Sequence, residues 1–260
     1  MLAYLGAIWK CRYFWLSLVK MDLRTRYRGS VLGIGWSLLH PLMMTAIICT
    51  AFGTLFNADF HKYIPFLMAG LTSWQYLVNV ACQGAQCFFQ GEAYIRQHPA
   101  PLAIYPLRAV LGHAFHFSVA LVLVLLLGAI LRGMPDVWSL LSLVPTVLML
   151  HLLGWSLATL LGLVTVRFRD THHISELAFQ ALFYLTPVIY EPDLLSQRGL
   201  GWLLGCNPVV PFLTLVRQPI LYHEVPPWQP YATAGAIALA VGALATLLLW
   251  REERELIFRL

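Results

Sequence analysis

Apolar runs long enough to cross a bilayer alternate with short polar connections along the chain. A transmembrane α-helix needs about 20 apolar residues. Six segments meet or approach this length, at about 31–56, 63–89, 105–131, 138–166, 173–190 and 229–250. The fifth segment is the shortest and the most polar. The pattern therefore predicts an all-α membrane protein with six transmembrane helices.

The connection between the fifth and sixth segments, about 191–228, is longer than the others. Its apolar run is interrupted by Pro208, Pro211 and Pro219, which a single straight helix does not tolerate. Asn207 followed by Pro208 is typical of a helix N-terminus. We predict one or two short re-entrant helices here, dipping into the membrane from the external side.

Residues 1–30 precede the first predicted span and have an amphipathic pattern. Apolar residues between Leu5 and Val19 recur near one helical face, and Lys20, Arg24 and Arg28 recur at every fourth position. Such a helix lies in the headgroup layer, in contact with membrane lipid. The alternative is a basic tail that only marks the cytoplasmic side. Residues 31–260 then form the six-span domain.

Composition and charge indicate a membrane location and an orientation. Hydrophobic residues make up 59% of the 260 positions and charged residues 11%, whereas soluble domains carry about 25% charged residues. With the N-terminus inside, 13 of the 17 Lys and Arg residues are cytoplasmic, and the external ones are Lys62, Arg132, Arg198 and Arg217. We therefore predict both termini in the cytoplasm, a multi-pass protein of the inner (cytoplasmic) membrane, and no nucleic-acid partner.

Polar residues in the second segment fall on one helical stripe. Its members are Gln75, Asn79, Gln83, Gln86 and Gln90, at steps of three or four. Unpaired amides are costly in lipid, so this stripe must face protein or water. It either hydrogen-bonds neighbouring helices or forms the wall of a hydrated pathway for a hydroxyl-rich solute.

The fifth segment combines ionisable, amide and aromatic side chains. These are His172, His173, Glu176, Gln180, Phe183, Tyr184 and Tyr190. Glu176 is expected to pair with Arg169, or else to have a functional role near the membrane. Aromatic rings beside amides suit carbohydrate, whose C–H faces lie on rings while its hydroxyls meet polar groups.

Sequence motifs for catalysis or metal binding are missing. The chain has no G-x-x-x-x-G-K-[ST] nucleotide loop, no H-E-x-x-H and no paired-cysteine zinc spacing. His113, His116 and His151 lie in apolar spans, where isolated histidines are more often hydrogen-bonded structural residues. We therefore expect no catalytic residue, no metal and no cofactor held by this chain.

One block of the sequence runs from Arg26 to Leu42 (RYRGSVLGIGWSLLHPL), and a second is Val166–Asp170 (VRFRD). A third is Leu185–Tyr190 (LTPVIY), followed by Asn207-Pro208 and Arg217. These blocks resemble the permeases of ABC type-2 exporters, in particular the branch that exports O-antigen, capsular polysaccharide and teichoic acid. They lie in the order found in that family, and the resemblance covers nearly the whole chain.

The resemblance implies a half-transporter. Two copies would form a homodimer, and each would dock a separate ABC ATPase subunit that binds the ATP and Mg. The cargo would be a lipid-linked, O-antigen-like polysaccharide passing between spans one and five of the two copies. Our candidate lining residues are Trp36, Phe52, Phe56, Gln75, Asn79, Gln83, Gln86, Gln180, Phe183, Tyr184 and Tyr190.

A coupling helix to the ATPase is implied between spans two and three, at about 90–104. Its candidate contacts are Gln90, Glu92, Tyr94, Arg96 and His98, with Arg167, Arg169 and Asp170 as secondary contacts. Asp22 and Arg26 are spaced for a helical i,i+4 ion pair.

Three rival functions stay open at this point. The first is an ABC exporter of another lipid, a capsule or a drug. The second is a membrane-embedded acyl- or glycosyltransferase that uses Glu176 with His172 or His173 for acid–base chemistry. The third is an ATP-independent channel or scaffold.

Overall fold

A computed structural model describes residues 2–53, 59–97 and 100–260, and all regular structure in these ranges is helical. The helices are α1 Leu2–Lys10, α2 Arg12–Tyr27, α3 Trp36–Phe52, α4 Phe60–Gly84, α5 Cys87–Gln97, α6 Ile104–Arg132, α7 Val137–Arg167, α8 Thr171–Leu185, α9 Pro192–Gln197, α10 Gly201–Cys206, α11 Val210–Leu221 and α12 Trp228–Arg259. A 3₁₀ turn, Gly33–Gly35, leads into α3.

Within the described residues, four stretches of helix are long and apolar enough to cross a membrane. They are Gly33–Phe52, Ile104–Arg132, Val137–Arg167 and Trp228–Glu253. These coincide with the first, third, fourth and sixth predicted spans and describe a multi-pass membrane protein. By length and composition alone, α4 and α8 are not among them, because α4 is more polar and α8 has only 15 residues.

The centre of the bundle is α4, which packs against α3, α6, α7, α8 and α11. Seventeen of its 25 residues are buried. By contrast, only 22% of the most apolar window of α6 is buried, so most of that window faces outward. A helix enclosed by protein needs less apolar surface than a helix that faces lipid, and this explains the lower hydropathy of α4.

Small residues bring α12 close to α7. Ala234 and Ala238 are completely buried, and a Cβ added at Gly242 would lie 3.3 Å from the Ser156 hydroxyl. Helices that associate in lipid rely on such close packing, because lipid tails are as apolar as leucine side chains. The α7–α12 pair has the most extensive helix–helix contact among the described residues.

Both termini lie at one end of the bundle, called here the termini end; the opposite end is the far end. The Tyr4 hydroxyl donates to Glu253 Oε1 at 2.8 Å, and the same oxygen accepts from the Leu102 backbone N–H at 3.2 Å. Burial and this hydrogen bond to Glu253 raise the pKa of Tyr4, which keeps the hydroxyl protonated as a donor. The contacts join α1, the start of α6 and the end of α12.

Three predicted helix boundaries are corrected. Residues 1–30 form two helices, α1 and α2, that meet at Cys11. The second predicted span ends at Gly84 rather than at residue 89, because the chain turns at Ala85 and Gln86 before α5 begins. Residues 191–228 contain three short helices instead of one or two. Asn207 does cap a turn, its Oδ1 accepting from Val209 N–H at 3.0 Å just before α11 begins.

Replacing Gly84 by alanine should destabilise the bundle. A Cβ at this position would lie 2.6 Å from the Cα of Ala158, so α4 and α7 would have to separate. Overpacking of this kind costs about 1–3 kcal/mol. We expect a lower thermal midpoint in detergent, measured by the fraction that stays monodisperse after heating.

Gly112→Ala is the matched control, because a Cβ at Gly112 meets nothing within 4 Å. Equal midpoints for the two variants would contradict the close approach of α4 and α7.

Candidate functional site

A polar crevice runs between α3, α4 and α6 inside an otherwise apolar bundle. Its upper part, toward the far end, has a volume of about 380 Å³. Its lower part, toward the termini end and bordered by α2, has a volume of about 580 Å³. The two parts share Arg26, His113 and His116 and therefore adjoin each other. The polar residues that line them are Asp22, Thr25, Arg26, Tyr27, Ser37, His40, Thr72, Gln75, Tyr76, Asn79, Gln83, Gln90, Tyr105, Arg108, His113 and His116.

The amide stripe of the sequence forms one wall of this polar crevice. Gln75 donates from Nε2 to Asn79 Oδ1 at 2.9 Å, and Gln83 Oε1 lies 2.9 Å from His113 Nε2 of α6. The stripe therefore lines a cavity and also hydrogen-bonds a neighbouring helix. Because α4 ends at Gly84, the stripe is split: Gln86 lies in the turn, half-buried, and Gln90 lies on α5.

Three side chains form a hydrogen-bonded node that joins α2, α3 and α6. The Tyr27 hydroxyl, the Ser37 hydroxyl and His116 Nδ1 are each 2.8 Å from the other two. The sequence analysis expected a hydrogen-bonded structural histidine at position 116, which agrees with the node, but it did not identify Tyr27 and Ser37 as the partners. The available signal was the spacing of His113 and His116, which places both imidazoles on one side of α6.

Some polar atoms of the crevice residues are buried without a hydrogen-bond partner among the described residues. They are Thr72 Oγ1, Tyr76 Oη, Tyr105 Oη, Arg108 Nη1 and His116 Nε2. The accessible amides Gln75, Asn79 and Gln83 are the groups that the crevice offers to water or to a hydroxyl-bearing solute.

An ion pair closes the lower part of the crevice at α2. Arg108 donates from Nε and Nη2 to the two oxygens of Asp22, both at 2.5 Å. The expectation of an Asp22–Arg26 pair is therefore wrong, and Arg26 instead lines the crevice. Bidentate pairs of this type are the strong ones, and the Arg108 side chain is only 12% exposed.

The remaining predicted lining residues lie outside the crevice or at its edge. Trp36 lines it and is 53% exposed, whereas Gln180 and Tyr184 are exposed on α8. Phe183 packs on Trp74 of α4, with 5.8 Å between ring centroids, and the Tyr190 hydroxyl donates to the Tyr184 carbonyl at 3.0 Å. Phe52 is half-buried at the end of α3, and Phe56 lies outside the described residues.

The helical part of the predicted coupling segment is α5, Cys87–Gln97. On it, Glu92 and Arg96 form an exposed i,i+4 ion pair at 2.8 Å, and Tyr94 meets the ring of Phe14 edge-on. His98 lies outside the described residues. The basic residues Lys20, Arg24 and Arg28 border a shallow open surface along α2.

The secondary coupling candidates have partners within the chain. Arg167 pairs with Glu252 of α12, and the Arg169 guanidinium lies 5.6 Å from the centre of the Phe89 ring. Asp170 is exposed immediately before α8. The expected Glu176–Arg169 pair is wrong, since Glu176 lies beside His172 and His173 instead.

Arg217 was counted among the external charges from the sequence, which implied an exposed side chain. In the structure it is buried. Its side chain donates to the carbonyls of Phe66, Pro187 and Val188, at 3.3, 2.7 and 2.7 Å. The guanidinium also lies 3.6 Å from the centre of the Phe66 ring. Three carbonyls and a ring satisfy the buried cation in place of a carboxylate, and they tie α11 to α4 and to the end of α8.

Comparison with known proteins gives one matching family and several similar permeases. The family model described as "ABC-2 type transporter" matches residues 13–221. The chain is 26% identical over 252 residues to the O-antigen export system permease protein RfbA of Myxococcus xanthus, covering 96% of this chain and 94% of that protein. Two RfbA proteins of Klebsiella pneumoniae are each 24% identical to this chain. The first aligns over 202 residues, which is 77% of each sequence, and the second over 196 residues, which is 74% of each sequence.

Cysteine labelling tests whether the crevice is hydrated. In a chain whose five native cysteines are replaced, Asn79→Cys should react with a charged, membrane-impermeant thiol reagent added to both sides of a membrane vesicle. Leu77→Cys on the same helix is the control, because Leu77 is 1% exposed and packs in the apolar core. Equal reactivity at the two positions would rule out a hydrated crevice.

Proposed function

The chain belongs to the ABC-2 type transporter family, and on that premise we propose that it is the membrane subunit of an ATP-driven exporter of a lipid-linked, O-antigen-like polysaccharide. The relatives named above are O-antigen export permeases, and the likeness to the Myxococcus protein extends over 96% of the chain. The structural observation that carries the proposal is the polar crevice in an otherwise apolar bundle. Such a space suits a cargo rich in hydroxyl groups.

We propose six membrane spans, with α4 and α8 as the second and fifth. At 1.5 Å per residue, the 25 residues of α4 extend about 37 Å, more than the roughly 30 Å of a hydrocarbon core. The α8 segment reaches α4 at two levels, since His172 contacts the Cys82 carbonyl and the Tyr63 hydroxyl donates to the Ile189 carbonyl. These levels are 19 residues, or about 28 Å, apart along α4.

The proposed orientation places the termini end in the cytoplasm. An even number of spans agrees with the contact between Tyr4 and Glu253, which holds both termini at one end. The basic residues of α2, the ion pairs of α5 and the end of α12 then lie on the cytoplasmic side, as the positive-inside rule requires.

We propose that two copies associate through the exposed faces of α3 and α8, and that the polymer passes between them. Both helices pack against α4 and leave large side chains uncovered, among them Met43, Ile47, Leu177 and Tyr184, each between 52% and 68% exposed. Exposed aromatic rings on these faces offer weak, repeated contacts, which suit a cargo that has to slide. The crevice then adds exchangeable hydrogen bonds beside the path.

We propose that α5 receives the force of ATP hydrolysis from a separate ATPase, which also supplies the ATP and Mg site that this chain lacks in sequence. The helix lies at the termini end and presents Glu92 and Arg96 outward. Arg167 binds Glu252 of α12 and Arg169 lies against the Phe89 ring, whereas the Glu92–Arg96 pair involves no other helix, so α5 is the better candidate for the main contact.

Removing the charges of α5 should uncouple the ATPase. The variant Glu92→Ala/Arg96→Ala should recover several-fold less ATPase than the native chain in a detergent pulldown from the native host. The measurement is the ratio of ATPase to permease by quantitative proteomics, together with ATP turnover of the eluate.

The control is Glu255→Ala/Arg259→Ala, which removes another exposed i,i+4 ion pair, on α12, together with the contact of Arg259 to Glu252. If both variants retain the ATPase equally, α5 is not the coupling helix. If the native chain itself recovers no ATPase, the exporter proposal fails.

Removing exposed rings on α3 and α8 should slow transport. We expect the double variant Trp36→Ala/Tyr184→Ala to display several-fold less polysaccharide at the cell surface, because the sliding contacts are lost. The readout is surface polysaccharide per permease molecule, by immunoblot.

The control is Trp250→Ala/Tyr222→Ala, which removes rings that are 72% and 64% exposed on other elements. Unchanged display in the α3/α8 variant, or an equal loss in the control, would refute a pathway along these faces.

A further inference from the structure

Three metal-ligating side chains converge at the start of α8, outside the polar crevice. His172, His173 and Glu176 each offer one ligand atom, and these atoms all lie within 4.8 Å of one another. We propose that they form a binding site for a divalent transition metal, with zinc as the expected ion. This inference does not depend on the transport function proposed above.

The spacing of the ligand atoms fits a single ion. His172 Nε2 is 3.4 Å from Glu176 Oε1, and His173 Nδ1 is 3.6 Å from Glu176 Oε2. Metal–ligand bonds of about 2.0–2.1 Å in a tetrahedron place neighbouring ligands about 3.4 Å apart. Small side-chain rotations therefore bring all three groups onto one metal without moving the helix backbone.

The second nitrogen of His172 has the partner that a metal-bound imidazole usually has. Its Nδ1 lies 3.1 Å from the backbone carbonyl of Cys82, and a carbonyl can only accept. A proton therefore lies on Nδ1, and Nε2 is the nitrogen that faces Glu176. Such an outer contact fixes the tautomer and the ring orientation of metal-ligating histidines.

The ligand set determines which metal is bound and how openly. Two imidazoles and one carboxylate suit zinc and its neighbours in the first transition series, rather than magnesium or calcium. The His172 side chain is 19% exposed, whereas those of Glu176 and His173 are 52% and 77% exposed. Water therefore completes the coordination, and binding is weaker than at a closed four-ligand site.

The charges around the cluster permit a cation. The start of α8 carries the positive end of its helix dipole, which opposes a metal ion. The Glu176 carboxylate offsets this effect, and Asp170 lies one turn before His173. The nearby cations Arg167 and Arg169 are directed to Glu252 and to the Phe89 ring. A bound ion would hold the first turn of α8 against the end of α4, through His172 and Cys82.

Cobalt spectroscopy on the purified full chain tests this site. The chain, with a Strep tag in place of any polyhistidine tag, is titrated with Co²⁺ in detergent and then with Zn²⁺. We expect saturation at one ion per chain, visible absorption of a four- or five-coordinate cobalt complex, and its displacement by zinc. No saturable binding, or one ion per two chains, would overturn an intrachain site.

Single substitutions assign the ligands. Glu176→Gln and His173→Ala should each abolish the cobalt spectrum, and His173 is exposed enough that its removal leaves the fold intact, checked by gel filtration. His61→Ala is the control, since His61 is an exposed histidine at the start of α4 and should not alter binding. Retained binding in both ligand variants, or its loss in the control alone, would show that the metal is held elsewhere.

Discussion

A membrane helix that carries amides along one side loses their hydrogen bonds to water, and each unpaired group costs several kcal/mol in hydrocarbon. In this chain the helix concerned is α4, and the bundle encloses it with α3, α6, α7, α8 and α11. The outer helices, above all α6 and α12, carry the apolar surface that faces away from the bundle. Enclosure also keeps Gln75 and Asn79 next to water-sized space, because the bundle leaves a crevice on that side of α4.

A second buried polar group, Arg217, joins the helices at the far end of the bundle. Arg217 lies against Gly70, where a Cβ would meet the guanidinium carbon at 3.1 Å, so α4 needs a glycine at this point. Its carbonyl partners belong to α4 and to the segment after α8. Asn207 reinforces the junction by donating to Thr186 Oγ1 at 2.8 Å. The end of α8 at the far end of the bundle is therefore fixed to the core, although most of the helix is exposed.

The prediction from sequence succeeded where one local pattern decides the outcome. Long apolar runs gave the four apolar spans, because lipid selects for length and hydropathy alone. It failed where a distant partner decides: Asp22 pairs with Arg108, 86 residues away, in preference to Arg26 one helical turn away. The close approach of Gly84 to Ala158 and the burial of Arg217 against three carbonyls likewise join residues that lie far apart in the chain. No periodicity within a helix contains that information.

The contacts at the termini end determine which helices are free to move if α5 is pushed. The link from α5 to α6 is hydrogen-bonded to Glu253 at the end of α12, and the neighbouring Glu252 holds Arg167 at the end of α7. Since α7 and α12 also pack through small residues along their length, a displaced α5 has to carry α12 and α7 with it or break these bonds. By comparison, α8 packs on α4 and α7 over a smaller surface and is mostly exposed, and α3 meets α4 and α6 along one side. Among the proposed spans, α3 and α8 thus make the smallest contacts with the rest of the bundle, so in the proposed exporter they are the helices that can be displaced with the least loss of packing.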